Sequence, residues 1–175
     1  MRKTLTLLAA FGCIQGYAFA GSIAEDATTK GIDLVNSARY DEAITELSNA
    51  IDSDPKAALA FYTRGMAHHK KGELDKAVAD YTKALELSPK EAEWYYFRGM
   101  AYYYKDNLDR AIEDWSNTVE LRPKATDAYL KRAFAYYKKR YYDKAWDDVD
   151  MVKKAGLKIP PDFLAVLKKD SGREE

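Results

Sequence analysis

The chain has 175 residues, in which 28 Lys+Arg are balanced by 28 Asp+Glu and aromatic residues make up 13%. That length suffices for one domain with a sizeable core, since a compact domain near this size buries roughly 68–70% of the surface its unfolded chain exposes. The balanced charge excludes the broad phosphate-neutralising surface that a nucleic-acid binder needs, so nucleic acid is not an expected partner.

Residues 1–20 differ from the rest. Arg2 and Lys3 give a positive start, Leu5 to Phe11 an apolar run, and Ala18-Phe19-Ala20 a small-x-small end. This is the pattern of a cleavable secretory signal, too short to span a bilayer comfortably. The expectation is therefore an exported protein without a membrane span, periplasmic or secreted. Cys13 lies inside the signal, so cleavage after Ala20 leaves a mature chain with no cysteine and hence no disulfide or thiolate chemistry. A rival reading makes Cys13 a lipid-bearing N-terminus. The bulky Phe11 ring and the early position of the cysteine speak against it.

After the signal, one period dominates. Gly31, Gly65, Gly99 and Ala133 are each 34 residues apart, and so are Asp41, Asp75, Asp109 and Asp143, then Ala43, Ala77, Ala111 and Ala145, then Pro55, Pro89 and Pro123. Inside a unit the apolar spacing is helical: Phe61, Gly65 and His68, then, after a break at Gly72, Ala77, Tyr81 and Ala84. Each unit is thus two helices and a turn. The Asp opening the second helix places negative charge at the positive end of the helix dipole, and the closing Pro cannot continue a helix interior. Gly or Ala facing Ala lets the two backbones approach closely.

The units expected are residues 24–57, 58–91, 92–125 and 126–157, followed by 158–175 as a capping helix and tail. In that last segment Phe163, Leu164, Val166 and Leu167 form an apolar face suited to covering the fourth unit, or to lying as an arm across the partner surface.

The order of aromatic, Gly, aromatic, Ala, aromatic and Pro in Tyr95, Gly99, Tyr102, Ala111, Trp115 and Pro123 resembles the tetratricopeptide repeat. The second and third units fit closely. The first departs with Ala27 for a large residue, and the fourth with Ala133 for Gly and Leu157 for Pro. The resemblance implies an all-α, right-handed superhelical solenoid of about four helix-turn-helix repeats, whose first helices line a concave surface.

On those first helices a second apolar stripe is offset from the packing stripe. It comprises Ile32 and Val35 in the first unit, Leu59, Tyr62, Met66 and His69 in the second, Tyr96, Met100 and Tyr103 in the third, and Leu130, Phe134 and Tyr137 in the fourth. By the resemblance these residues line the groove. Read from the residues alone, the same stripe could equally pack neighbouring repeats together. Family members that bind a C-terminal carboxylate place Lys, Asn and Arg on this face. Here Tyr62, Met66, Tyr96 and Met100 occupy the central positions, so no such clamp is expected.

Signs of catalysis or metal binding are lacking. His68 and His69 are adjacent on one helix, about 100° apart, with no partner at metal-ligand spacing. Asp147, Asp148 and Asp150 read as a solvated helix face. No phosphate loop or nucleophile elbow is present, so neither enzyme activity nor a cofactor is expected. Arg64, Arg98 and Arg132 form a further column, which could be a basic ladder for an acidic ligand but is read as stems covering apolar surface with heads paired to acids.

The expected function is therefore a non-catalytic module or scaffold that binds another protein in the cell envelope, through an apolar peptide or helix held in the groove. The alternatives are a holdase for an exported protein, a carrier of a small apolar ligand, and self-association through the same face.

Overall fold

The computed structural model describes residues 23–173; the expected signal and Cys13 lie outside the described residues. Among the described residues every regular element is an α-helix. They are α1 (23–36), α2 (Tyr40–Ser53), α3 (Ala58–Lys70), α4 (Leu74–Leu87), α5 (Ala92–Tyr104), α6 (Leu108–Leu121), α7 (Thr126–Lys138), α8 (Tyr142–Lys154) and α9 (Pro161–Ser171). The expected all-helical repeat class is what the chain adopts. These residues divide into two compact units, one ending at Ser88 and the other beginning at Pro89. In a repeat array each element meets only its neighbours, so contacts do not gather into one central core.

Within each pair the glycine has a sharper role than close backbone approach. A Cβ on Gly65 would lie 2.8 Å from the Tyr81 ring and 3.3 Å from the Ala77 carbonyl, and one on Gly99 would lie 2.9 Å from Trp115 Nε1. Gly31 likewise leaves room for Leu47. The second helix thus drives a large side chain across the first where that helix has none. In the fourth pair Ala133 replaces glycine, and Val149 stands where the others have Leu47, Tyr81 or Trp115. The smaller residue opposite makes room for the extra methyl.

The turn between the helices of a pair repeats too. Ala38, Gly72, Asp106 and Arg140, each 34 residues from the next, all have positive φ, between 58° and 77°. Only Gly72 adopts that left-handed backbone without steric cost. The turn is kept in the other three pairs because both flanking helices are fixed by packing.

In the second unit, α9 lies against α7 and α8. Phe163 and Leu167 are buried with Ala133, Ala145, Trp146 and Val149. Trp146 Nε1 donates to Ser171 Oγ at 3.0 Å, and the Tyr137 hydroxyl donates to Asp170 Oδ2 at 2.6 Å.

Gly99→Ala should overpack the α5/α6 crossing and cost about 1–3 kcal/mol in denaturant unfolding. Because the fourth pair accommodates alanine opposite valine, the same change should cost clearly less in a Trp115→Val background. Equal costs in both backgrounds would show that the ring does not impose the glycine.

Candidate functional site

Each helix pair is locked by a cation reaching across it to an acid sixteen residues later. Arg64 binds Asp80 through Nε and Nη2 at 2.9 and 2.8 Å, Arg98 binds Asp114 at 2.9 and 2.7 Å, and Arg132 binds Asp148 at 2.9 and 2.7 Å. The first pair has the corresponding Lys30–Glu46 bridge at 2.8 Å, more exposed than the others. The guanidinium groups also lie over aromatic rings: Arg64 over Phe61, Arg98 over Tyr95 and Tyr102, and Arg132 over Tyr129 and Tyr136. The arginine column thus pairs with acids. Asp148 is not part of a solvated face: it is buried at the centre of such a pair. Burial pushes the carboxyls of Asp114 and Asp148 up, against the lowering effect of their arginines.

This pairing fixes which side of each first helix turns away from its partner. In the first unit Leu59 is 46% exposed, Met66 and His69 are half-buried, and Ile32 is partly covered. Val35 and Tyr62 are buried, Val35 inside the core formed with Leu34, Leu47 and Ala60, so neither presents a free surface. Met66 packs on that core's edge. The Tyr62 and His69 rings both lie against Tyr81, with centroids 5.9 and 6.3 Å away. Burial lowers the His69 pKa, with Lys70 acting in the same direction. His68 is a packing residue, its Nδ1 2.7 Å from Glu73 Oε2.

In the second unit Tyr96, Met100 and Tyr103 on α5 are half-buried. Tyr96 meets Phe97 edge-on at 5.5 Å, and burial, then the charge of Asp127, raises its pKa. Tyr103 packs on Trp115 at 5.7 Å, and the Lys138 ammonium stands 5.1 Å over its ring while also bonding Asp106. On α7 the outcome differs. Leu130, Phe134 and Tyr137 pack against the core closed by α9, with the Phe134 and Phe163 rings 4.0 Å apart. Those three nevertheless stay half-buried, as Tyr96, Met100 and Tyr103 do.

The groups that sequence reasoning missed are Glu46, Asp80 and Asp114 as partners of the cations, Lys138 over Tyr103, and exposed Tyr104 beside it. The acids were findable, because Asp80, Asp114 and Asp148 recur at the same period as the arginines. Among the described residues no group of three or more His, Cys, Asp or Glu could hold a metal, and no helix is long and apolar enough to cross a membrane.

With this geometry in place, the likenesses to known proteins are specific. A tetratricopeptide-repeat profile matches residues 28–92 and a second TPR-repeat profile matches 99–139. No curated protein matches in sequence. The solved structure of MamA is 25% identical with a TM-score of 0.74, over 76% of this chain and 78% of that one. YrrB, described as a TPR protein with an unusual peptide-binding site, is 19% identical with a TM-score of 0.69, over 74% and 66% of the two chains. The first TPR of Spaghetti (RPAP3), solved with an HSP90 peptide, is 23% identical with a TM-score of 0.67, over 69% and 95%. At these last two identities the likeness is one of fold.

Removing the Arg98 guanidinium in Arg98→Met leaves Asp114 buried without its partner and should cost about 3–5 kcal/mol at neutral pH. The native carboxyl, raised by burial, binds its proton more tightly than the unfolded one, so its contribution to stability falls as pH rises through the raised value. Arg98 acts against that rise, so without it Asp114 takes up its proton at still higher pH, and the variant should recover stability on acidification relative to wild type in paired urea melts. A gap that stays constant with pH would overturn the pairing as the source of the loss.

Proposed function

Because the chain belongs to the tetratricopeptide-repeat family, we propose that it is a non-catalytic interaction module, exported to the cell envelope, which holds apolar polypeptide on partly exposed first-helix faces, that of α3 in one unit and that of α5 in the other, each taken by itself. The observation that carries this reading is chemical. On these faces Leu59, Met66, Tyr96, Met100 and Tyr103 keep part of their surface in water after both pairs have packed, and all are uncharged side chains at neutral pH. A Tyr or Phe can bury about 150–250 Å² in a partner contact, at roughly 25 cal/mol per Å². Two or three such anchors support micromolar binding after the costs of association. The peptide-binding descriptions of YrrB and of the Spaghetti TPR are in keeping with a polypeptide ligand. The absence of a Lys/Asn/Arg set at Tyr62, Met66, Tyr96 and Met100 favours apolar recognition over capture of a terminal carboxylate.

The envelope location rests on the composition of residues 1–20 alone. In cell fractionation with mass spectrometry of the purified chain, the expected product is an envelope or secreted protein beginning at Gly21. An intact Met1 terminus in the cytoplasm would remove the location from this reading, and a lipid on Cys13 would replace the free periplasmic form by an anchored one.

For the binding itself, pull-down from an envelope extract by the mature chain should be compared with Tyr96→Ala/Tyr103→Ala. The variant should lose the partner with an affinity drop of roughly tenfold or more. Binding should change little between low and moderate salt, because the contacts are apolar. A collapse of affinity over that range would point to charge recognition instead. Light scattering on the same two proteins distinguishes a foreign partner from self-association through this face.

A further inference from the structure

We propose that the buried hydroxyl of Tyr81 donates a hydrogen bond to a main-chain carbonyl of the polypeptide held on α3, reached when the His69 ring swings aside. The inference rests on the partner-binding reading above and deepens it. Tyr81 belongs to α4, and its ring crosses α3 at Gly65, where a Cβ would come within 2.8 Å of ring carbons. Tyr62 and His69 flank Gly65 on α3, three residues before it and four after, so they stand about 10 Å apart along the axis. The Tyr81 ring lies 5.9 Å from one and 6.3 Å from the other, and so fills the gap between them. The side chain is fully buried, and among the described residues its hydroxyl has no hydrogen-bond partner.

The fold does not ask for that hydroxyl. The corresponding residues Leu47 and Val149 carry no polar atom, and Trp115 satisfies its own by donating Nε1 to the Tyr96 carbonyl at 3.3 Å. Bulk is what the crossing needs, and phenylalanine would supply it without leaving a buried donor unpaired. Burial pushes Tyr81 ionisation up, so the group stays a donor and calls for an acceptor.

Charge selects the kind of acceptor. Met66 and Tyr62 are uncharged, and burial lowers the His69 pKa, which leaves its ring neutral at neutral pH. The neighbouring Asp80 has both oxygens engaged by Arg64. The side chains next to Tyr81 are thus uncharged and Asp80 is already paired, which suits a neutral carbonyl. Half-exposed Leu59 and Met66 on the same helix then take the apolar side chains that flank that carbonyl. Of the two rings that flank Tyr81, His69 is the less enclosed, half-buried where Tyr62 is 7% exposed.

The test uses the mature chain and terminally blocked peptides selected on it from a randomised library, with Tyr81→Phe and Leu59→Ala as variants. Tyr81→Phe should melt roughly 2–6 °C higher than wild type, because the unpaired donor is gone, yet bind the selected peptides roughly three- to tenfold more weakly. Leu59→Ala should weaken the same peptides without raising the melting temperature. Peptides that respond to Leu59→Ala but not to Tyr81→Phe would leave the binding reading standing and overturn this inference. A Tyr81→Phe chain that melts at or below wild type would also overturn it, since the hydroxyl would then be satisfied in the free protein. Failure to select any peptide, or indifference to both variants, would count against the α3 face as a binding surface and remove both.

Discussion

The structure depends on a register of sixteen residues between the two helices of each pair. At that separation stand two kinds of contact, on adjacent residues of the first helix. One is the ion pair, as in Arg64–Asp80, Arg98–Asp114 and Arg132–Asp148. The other is the small residue with its large neighbour, as in Gly65 with Tyr81 and Gly99 with Trp115. A slip of the second helix by even one residue would leave a buried acid without its guanidinium and drive a ring into a backbone that has no space for it. Buried ion pairs are weak sources of net stability, so their contribution here is to exclude other registers. The same arginines extend the constraint along each unit, since Arg64 also donates to Ser48 and Arg132 to Ser116, in the preceding pair.

Once the register is set, the division of labour on the first helices follows. The face carrying Gly and Arg is committed to the second helix, and what remains is decided by neighbours. In the first unit the core takes Val35 and the edge of Met66. In the second, α9 packs on one side of Leu130, Phe134 and Tyr137, which stay half-buried. Leu59, Met66 and His69 on α3, with Tyr96, Met100 and Tyr103 on α5, are left partly in water. The candidate surface is a remainder after packing, which is why its members are apolar but not fully buried.

The helices, their turns and the repeat were legible because a 34-residue period writes each structural role several times, so that chance is averaged out. The partly exposed stripe was legible only in outline. Helical spacing says that Tyr62 and Tyr96 share a position, but it cannot say that Tyr81 reaches across Gly65 and buries the first while Tyr96 stays half open. Asp148 was misread for a related reason: among Asp147, Asp148 and Asp150 only the one sixteen residues after Arg132 finds a guanidinium. Read singly, those acids look like a solvated run. Read as a column with Asp80 and Asp114, the middle one stands apart.

The end of the array follows from the same arithmetic. Phe163 lies 34 residues after Tyr129, and Leu167 lies 34 after Ala133, so α9 occupies the place of a first helix in a fifth pair. The first three pairs have glycine at that position and depend on the second helix to fill the space above it. In α9 a leucine supplies the volume, and it is fully buried without any second helix. This helix packs on the fourth pair through Phe163 and Leu167. Asp162 and Lys169 on the same helix are exposed. The offset stripe thus stays partly open in each unit: at Leu59, Met66 and His69 on α3, at Tyr96, Met100 and Tyr103 on α5, and at Leu130, Phe134 and Tyr137 on α7, where α9 packs on it without closing it.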